Sequence, residues 1–243
     1  MAIAVPILMY HDLGDPPSVE DRPYYVTPET FRAQLDLLSA EGFATIDLTS
    51  LTNYLVGDGT TLPDRPVILT FDDGYTSFHG VAVDALAQVG FTATVFAITG
   101  WVGHPGYCTW DQLREIEKAG HRVGSHSHTH PILTRVDDAV ASDELTRSRE
   151  VLAMELGHSV DILAYRGGHH DDRVVALTRA AGYRCAVTTR PGFNHPGADL
   201  LTLRRNAVRQ EDTGERLLAK LRPELRPSLA RRLLRRLVVR ACE

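Results

Sequence analysis

Two clusters of residues in this 243-residue chain have the types and spacing of a reactive centre. The first is Asp72-Asp73, adjacent carboxylates that follow the strand-forming run "VILTF" and precede Gly74. Carboxylates are almost never buried without a partner, because desolvating the charge costs several kcal/mol, so acids at the end of an apolar strand imply a cation. The surface alternative is a turn in which they cap a helix beginning near Tyr75. The second cluster is "HSHTH", which places His126, His128 and His130 within five residues after "RVGS". Imidazoles and a carboxylate are the donors of a divalent metal site. Three protein ligands and a water make the catalytic form, in which the metal lowers the pKa of that water to about 7. Hydrolysis is the natural use.

Spacing decides which histidines can share an ion. In an extended strand His126 and His130 would lie roughly 13 Å apart, at about 3.3 Å per residue. A helical turn after the strand would bring i and i+4 onto one face, with Pro131 ending it and His128 pointing away. If the segment stays extended, a pair two residues apart fits better. Adjacent aspartates point to opposite faces unless the strand ends between them. One carboxylate would then bind the metal, and the other would hydrogen-bond whatever fills the open coordination position. A glycosidase needs two carboxyls about 5 to 9.5 Å apart with a sugar between them, which suits adjacent residues poorly.

These residues need strands to carry them. Four stretches, "LLSAEGFATIDL", "ALAQVGFTATVFAI", "REIEKAGHRVGSH" and "TRAAGYRCAVTT", run from a helix end through Gly42, Gly90, Gly120 or Gly182 into a β-rich segment. Helix starts are marked by Thr27-Pro28 and by the capping-box spacing of "TWDQ" from Thr109 to Gln112, and Phe31, Leu35 and Leu38 form one apolar stripe. The expected strands are "VPILMY", "FATIDL", "PVILTF", "TATVFAI", "HRVGS", "ILAYR" and "CAVTT". Most are near-continuous apolar runs, as in strands covered on both faces, and their alternation with helices implies parallel crossovers. About seven such units favour a single closed or nearly closed barrel, with an open doubly wound sheet as the alternative. No GxGxxG or P-loop opens a helix. In either architecture chemistry collects at the C-terminal ends of the strands, where both clusters fall.

The formal net charge of -5 argues against a general nucleic-acid binder, but it is unevenly spread: from Arg216 onward nine Lys/Arg stand against two Asp/Glu. The stretch Ser228 to Cys242 reads as a basic amphipathic helix that packs on the acidic body or, alternatively, lies on an anionic membrane surface. The division expected is a barrel over 1–210 and a basic helical tail over 211–243. Cys108, Cys185 and Cys242 are widely spaced and suggest neither disulfides nor a cysteine metal site. No apolar run reaches the ~18 residues of a membrane span, and the N-terminus lacks a signal-peptide pattern. The expected location is cytoplasmic, or secreted or at the cell envelope if a leader was removed.

"TFDDG" followed by "HSHTH" resembles the paired signature of the polysaccharide deacetylases, the NodB-homology family of carbohydrate esterases, over about Pro6 to Val208. "VPILMYHDLGD" is similar to the opening of the circularly permuted subgroup that includes poly-N-acetylglucosamine deacetylases. The resemblance implies an α/β fold, a deformed (β/α) barrel of about seven parallel strands. It implies Asp72 as general base, Asp73, His126 and His130 as ligands of one divalent ion, zinc by default with cobalt or nickel as alternatives, and His11 as general acid. At the third motif this chain reads "AYRGG", where relatives carry a proline and an aromatic that wall the groove. Tyr165 and Arg166 there, and Arg205 in "LTLRRNAV", are the expected substrate-binding or base-orienting residues. The function implied is metal-dependent removal of acetyl groups from N-acetylated amino sugars or polysaccharide by attack of a metal-bound water. The alternatives are a deacylase of a small N-acyl metabolite or sugar intermediate, and a catalytically silent carbohydrate-binding barrel.

Overall fold

The computed structural model describes residues 3–222. Its strands, in chain order, are β1 (Ile7–Tyr10), β2 (Asp12–Leu13), β3 (Tyr25–Val26), β4 (Ala44–Thr45), β5 (Pro66–Phe71), β6 (Thr94–Ala97), β7 (Arg122–Ser125), β8 (Ile162–Ala164), β9 (Cys185–Val187) and β10 (Asn206–Ala207). The helices are α1 (Pro28–Ala40), α2 (Leu48–Val56), α3 (Val83–Val89), α4 (Trp110–Lys118), α5 (Asp138–Leu156), α6 (Asp172–Ala180) and α7 (Glu215–Leu221). The main sheet runs β10-β1-β5-β6-β7-β8-β9, every pairing is parallel, and β4 pairs the start of β5.

Seven strands thus curl into a deformed barrel, as the apolar runs and intervening helices predict. The seam between β9 and β10 is stitched by the chain just before β10. Ala186 donates to the Leu200 carbonyl at 2.8 Å, Thr188 to that of Leu203 at 2.8 Å, and Arg205 to that of Arg190 at 3.0 Å. β10 then pairs β1 in the register Leu8↔Asn206 and Met9↔Ala207. One short segment therefore joins both edges.

Local signals explain most element starts. Thr27 accepts the Thr30 amide at the head of α1, and Thr109 and Gln112 complete a capping box on α4. The α1 stripe of Phe31, Leu35 and Leu38 is buried in the main core. One strand is shorter than its sequence suggests. "FATIDL" forms β4 over only Ala44–Thr45, because the Asp47 carboxylate accepts the Ser50 amide and starts α2 one residue later. Helical backbone begins at Thr76, just after Tyr75, and passes through a π-type turn over Phe78–Ala82 into α3.

Past residue 210 the chain remains on the barrel. Leu217 and Leu221 of α7 enter the main core, Gln34 donates to the Asp212 carbonyl at 2.9 Å, and Asn206 donates to that of Lys220 at 2.9 Å. The amphipathic helix expected over 228–242 lies outside the described residues. Among the described residues no helix is long and apolar enough to cross a membrane.

Candidate active site

Both clusters meet at the C-terminal mouth of the barrel. β1 and β5 pair with Tyr10 opposite Phe71, so the next residues on each strand are His11 and Asp72. The Asp72 amide still donates to the Tyr10 carbonyl at 3.0 Å, after which the backbone turns sharply. Asp73 has a left-handed φ of 75°, an uncommon conformation for a residue other than glycine and one found where a site dictates the backbone. That turn brings two adjacent carboxylates to one cavity, which a continuing strand could not do. Gly74 follows with φ of 79°, and a Cβ there would lie 3.2 Å from the Ala97 backbone, so a side chain would crowd β6.

The histidine segment leaves β7 and reaches the same place by a route different from the helical turn expected from the sequence. Ser127 and His130 both have φ of 64°, so two left-handed residues fold the chain back and no helix forms. The i/i+4 pairing results all the same: the Nε2 atoms of His126 and His130 are 3.2 Å apart. They lie 3.4 and 3.6 Å from Asp73 Oδ1. His128 is turned away, with Nδ1 2.9 Å from the Thr99 hydroxyl.

Glu144 of α5, which the motifs do not reveal, holds this bent segment. Its carboxylate accepts the amides of His128 and Thr129 at 2.9 and 2.7 Å and the Thr129 hydroxyl at 2.5 Å. A sequence signal does exist. Glu144 sits among Ala141, Leu145, Ser148 and Leu152 on the buried stripe of α5, where an acid is out of place without partners.

The three donors form a metal-ligand set. One ligand atom from each of Asp73, His126 and His130 lies within 4.8 Å of the others, a spacing that fits a single ion. His126 Nδ1 donates to the Ala164 carbonyl at 2.7 Å, which leaves Nε2 with its lone pair toward Asp73. Burial would lower the His126 pKa, but the hydrogen bond and charge of Asp73 and the charge of Asp72 raise it overall. Burial, then the charge of His126, pushes His130 down to about 4.

Asp72 has a different partner. Arg205 is fully buried and grips both carboxylate oxygens, at 2.6 and 2.7 Å, while its Nε donates to the Thr188 carbonyl and Nη1 to the Thr70 hydroxyl. Burial alone would raise the Asp72 pKa, but the charge and hydrogen bonds of Arg205 overcome it and hold the carboxyl well below its usual range. His11 faces the same cavity with its ring edge-on to Tyr24, the centroids 5.0 Å apart. Burial lowers its pKa, opposed by the charges of Asp72 and Asp73.

These groups line one open cavity of about 420 Å³, together with Tyr24, Tyr25, Tyr75, Arg166, His169 and Thr189. Arg166 donates to the His130 carbonyl at 2.7 Å, so it braces the histidine segment from the cavity rim. Tyr165 does not reach the cavity, contrary to its expected substrate role. Its side chain is buried in a second core cluster and its hydroxyl donates to Thr178 at 3.2 Å, on the opposite side of the chain from Arg166. The 166–168 turn packs closely instead: a Cβ on Gly168 would lie 2.4 Å from the Thr189 amide.

A family model described as polysaccharide deacetylase matches residues 59–186. The chain is 28% identical over 188 residues to the polysaccharide-deacetylase-like protein YxkH of Bacillus subtilis, covering 77% of this chain and 65% of that one. It is 26% identical over 140 residues to the poly-β-1,6-N-acetyl-D-glucosamine N-deacetylase of Escherichia coli, covering 49% of this chain and 20% of that one. The match thus spans just under two thirds of the first relative's length and a fifth of the second's. Among solved structures it is similar to the Streptococcus pyogenes deacetylase PplD in complex with acetate, with a TM-score of 0.84 and 27% identity, covering 92% of this chain and all of that one. This chain belongs to the polysaccharide deacetylase family.

Proposed function

We propose, on the premise of that membership, that the chain hydrolyses the acetamido group of an N-acetylated amino sugar in an oligosaccharide or polysaccharide, releasing acetate and a free amine. The observation that carries this reading is the joining of two functions in one cavity. Asp73, His126 and His130 form a three-donor set, and Asp72 and His11, outside that set, line the same cavity. When bound, a divalent ion would polarise the amide carbonyl and acidify water; two imidazoles and a carboxylate suit zinc first and also cobalt or nickel.

The remaining steps belong to the chain's own side chains. Asp72 accepts a proton from the attacking water. The Arg205 fork occupies one lone pair on each oxygen and leaves others for that bond. His11 delivers a proton to the nitrogen that leaves, and the charges of Asp72 and Asp73 oppose the lowering of its pKa by burial. Tyr24, Tyr25 and Tyr75 line the same cavity and offer ring faces and hydroxyls to a sugar.

Acetate release from chitooligosaccharides, peptidoglycan fragments and monomeric N-acetyl sugars tests the reading. Asp72→Asn should keep stoichiometric metal and lose about 10²- to 10⁴-fold in rate. Turnover of monomers alone would transfer the assignment to a small-molecule deacylase. Sugar binding with no turnover by the metal-loaded protein would make it a binding barrel.

A further inference from the structure

A second cavity, of about 490 Å³, lies between β10 and α7 and is lined by Thr189, Arg209, Glu211, Asp212, Arg216 and Lys220, among others. Thr189 also lines the catalytic cavity, so the two share a wall. That wall is well fixed: the Thr189 hydroxyl donates to the Gly167 carbonyl at 3.0 Å, and Gly168 packs against its amide.

The charges in the second cavity do not cancel. Asp212 is matched by Lys220 at 3.0 Å and also accepts the Arg209 amide at 2.8 Å, while Lys220 donates to the Ala207 carbonyl. The guanidinium groups of Arg209 and Arg216 have no hydrogen bond or ion pair with any described residue. Glu211 supplies one carboxylate against these two cations. The excess is unusual for its surroundings: residues 186–222 carry seven Lys/Arg and four Asp/Glu, whereas the first 185 carry 13 and 25. An anionic ligand therefore meets an excess of cationic side chains at this cavity, in contrast to the acid-rich first 185 residues.

We propose that Arg209 and Arg216 form an anion subsite that recognises a carboxylate or phosphate substituent on the glycan whose acetamido group lies at Asp72 and His11. The proposal rests on the deacetylase reading and narrows its substrate class from neutral to acidic glycans. Guanidinium forks suit either oxyanion, and both side chains are solvent-exposed, so each contact contributes modestly and is screened by salt.

The test compares three tetrasaccharides: chitotetraose, an alternating N-acetylglucosamine–N-acetylmuramic acid tetramer bearing lactyl carboxylates, and 6-O-phosphorylated chitotetraose. Titration calorimetry on the full metal-loaded chain carrying Asp72→Asn, or His11→Ala if the first folds poorly, reads binding without turnover. One or both anionic ligands should bind more tightly than chitotetraose at low salt, and the preferred one identifies the source of the charge. Adding Arg209→Gln and Arg216→Gln should weaken that ligand by roughly five- to tenfold and leave chitotetraose unchanged. Salt at 0.5 M, on the order of the level that screens exposed pairs, should do the same. Equal binding of all three ligands, or equal weakening of all three by the substitutions, would overturn the subsite. Failure of the wild type to release acetate from any of them would defeat the deacetylase reading instead, since the binding comparison needs no catalysis.

Discussion

Arg205 and Asp72 are joined by two roughly parallel hydrogen bonds, Nη1 to Oδ1 at 2.6 Å and Nη2 to Oδ2 at 2.7 Å, with both side chains buried. A forked pair of this kind fixes the rotation of the carboxylate as well as its charge. Arg205→Ala should therefore leave a buried, unpaired acid and lower stability by about 3–5 kcal/mol, read by urea denaturation. Arg205→Lys keeps the charge but loses the fork. It should retain metal and fold while turnover falls at least about tenfold with little change in KM, a pattern expected when an interaction made in the transition state is weakened. Wild-type turnover in the lysine variant would remove Arg205 from the positioning of Asp72.

Arg205 also marks the limit of what the sequence discloses. The barrel was legible because its strands are apolar runs separated by capped helices. The Asp72-Asp73 pair and the cluster of His126, His128 and His130 were legible as candidates because chemistry-bearing residues stood at strand ends, while the set Asp73, His126 and His130 was implied by the family resemblance. The bend that joins the two histidines was not legible. Nothing in "HSHTH" announces left-handed backbone at Ser127 and His130, since neither position is a glycine. The clamp that stabilises it comes from Glu144, 14 residues beyond His130, and depends on how α5 docks against β7. Tyr165 lies in the second core cluster and not at the cavity for a related reason. Its neighbour Arg166 faces the cavity, and at the end of a strand adjacent side chains diverge.

The Glu144 clamp makes its own prediction. Glu144→Gln keeps the shape but replaces a three-bond acceptor by an amide, so His130 should be less well placed. Metal affinity, measured by competition with a chelator, should fall about 10- to 100-fold while the circular dichroism spectrum is retained. Asp73→Ala and His126→Ala should abolish stoichiometric metal by elemental analysis, whereas His128→Ala, which removes only the contact with Thr99, should not. Loss of metal in His128→Ala would contradict the ligand set read from the geometry.

Far from the mouth, Asp47 links acidity to stability. Its carboxylate caps α2 through the Ser50 amide at 2.7 Å and meets Arg122 at 3.3 Å. Partial burial would raise its pKa, but the bonds from Ser50 and the charge of Arg122 lower it overall. A depressed carboxyl contributes stability that is fully present above its unfolded value of about 3.9 and is lost as pH falls through the folded value. Asp47→Ala should cost about 1 kcal/mol at pH 7. The difference from wild type should shrink as the pH is lowered below about 4. Denaturation curves for both proteins at several pH values check this; a gap independent of pH would mean that the carboxylate charge plays no part.

His11 gives the most discriminating experiment, because its proposed role depends on the leaving group. An amine leaves poorly until its nitrogen is protonated, while an activated aryl oxide leaves without help. β1 places His11 beside Asp72 in register, within the cavity that also holds Asp73; burial lowers its pKa overall, and the charges of the two carboxylates oppose that shift. His11→Ala should therefore keep the metal and reduce turnover of N-acetyl sugars by about 10²- to 10⁴-fold. Hydrolysis of p-nitrophenyl acetate should change little. Tyr24, which meets the His11 ring edge-on, supplies the control: Tyr24→Phe keeps that contact and should leave the ratio of the two activities as it is in the wild type. If His11→Ala slows both substrates equally, the histidine acts on binding or on the oxyanion, and the proton reaches the amine from another group.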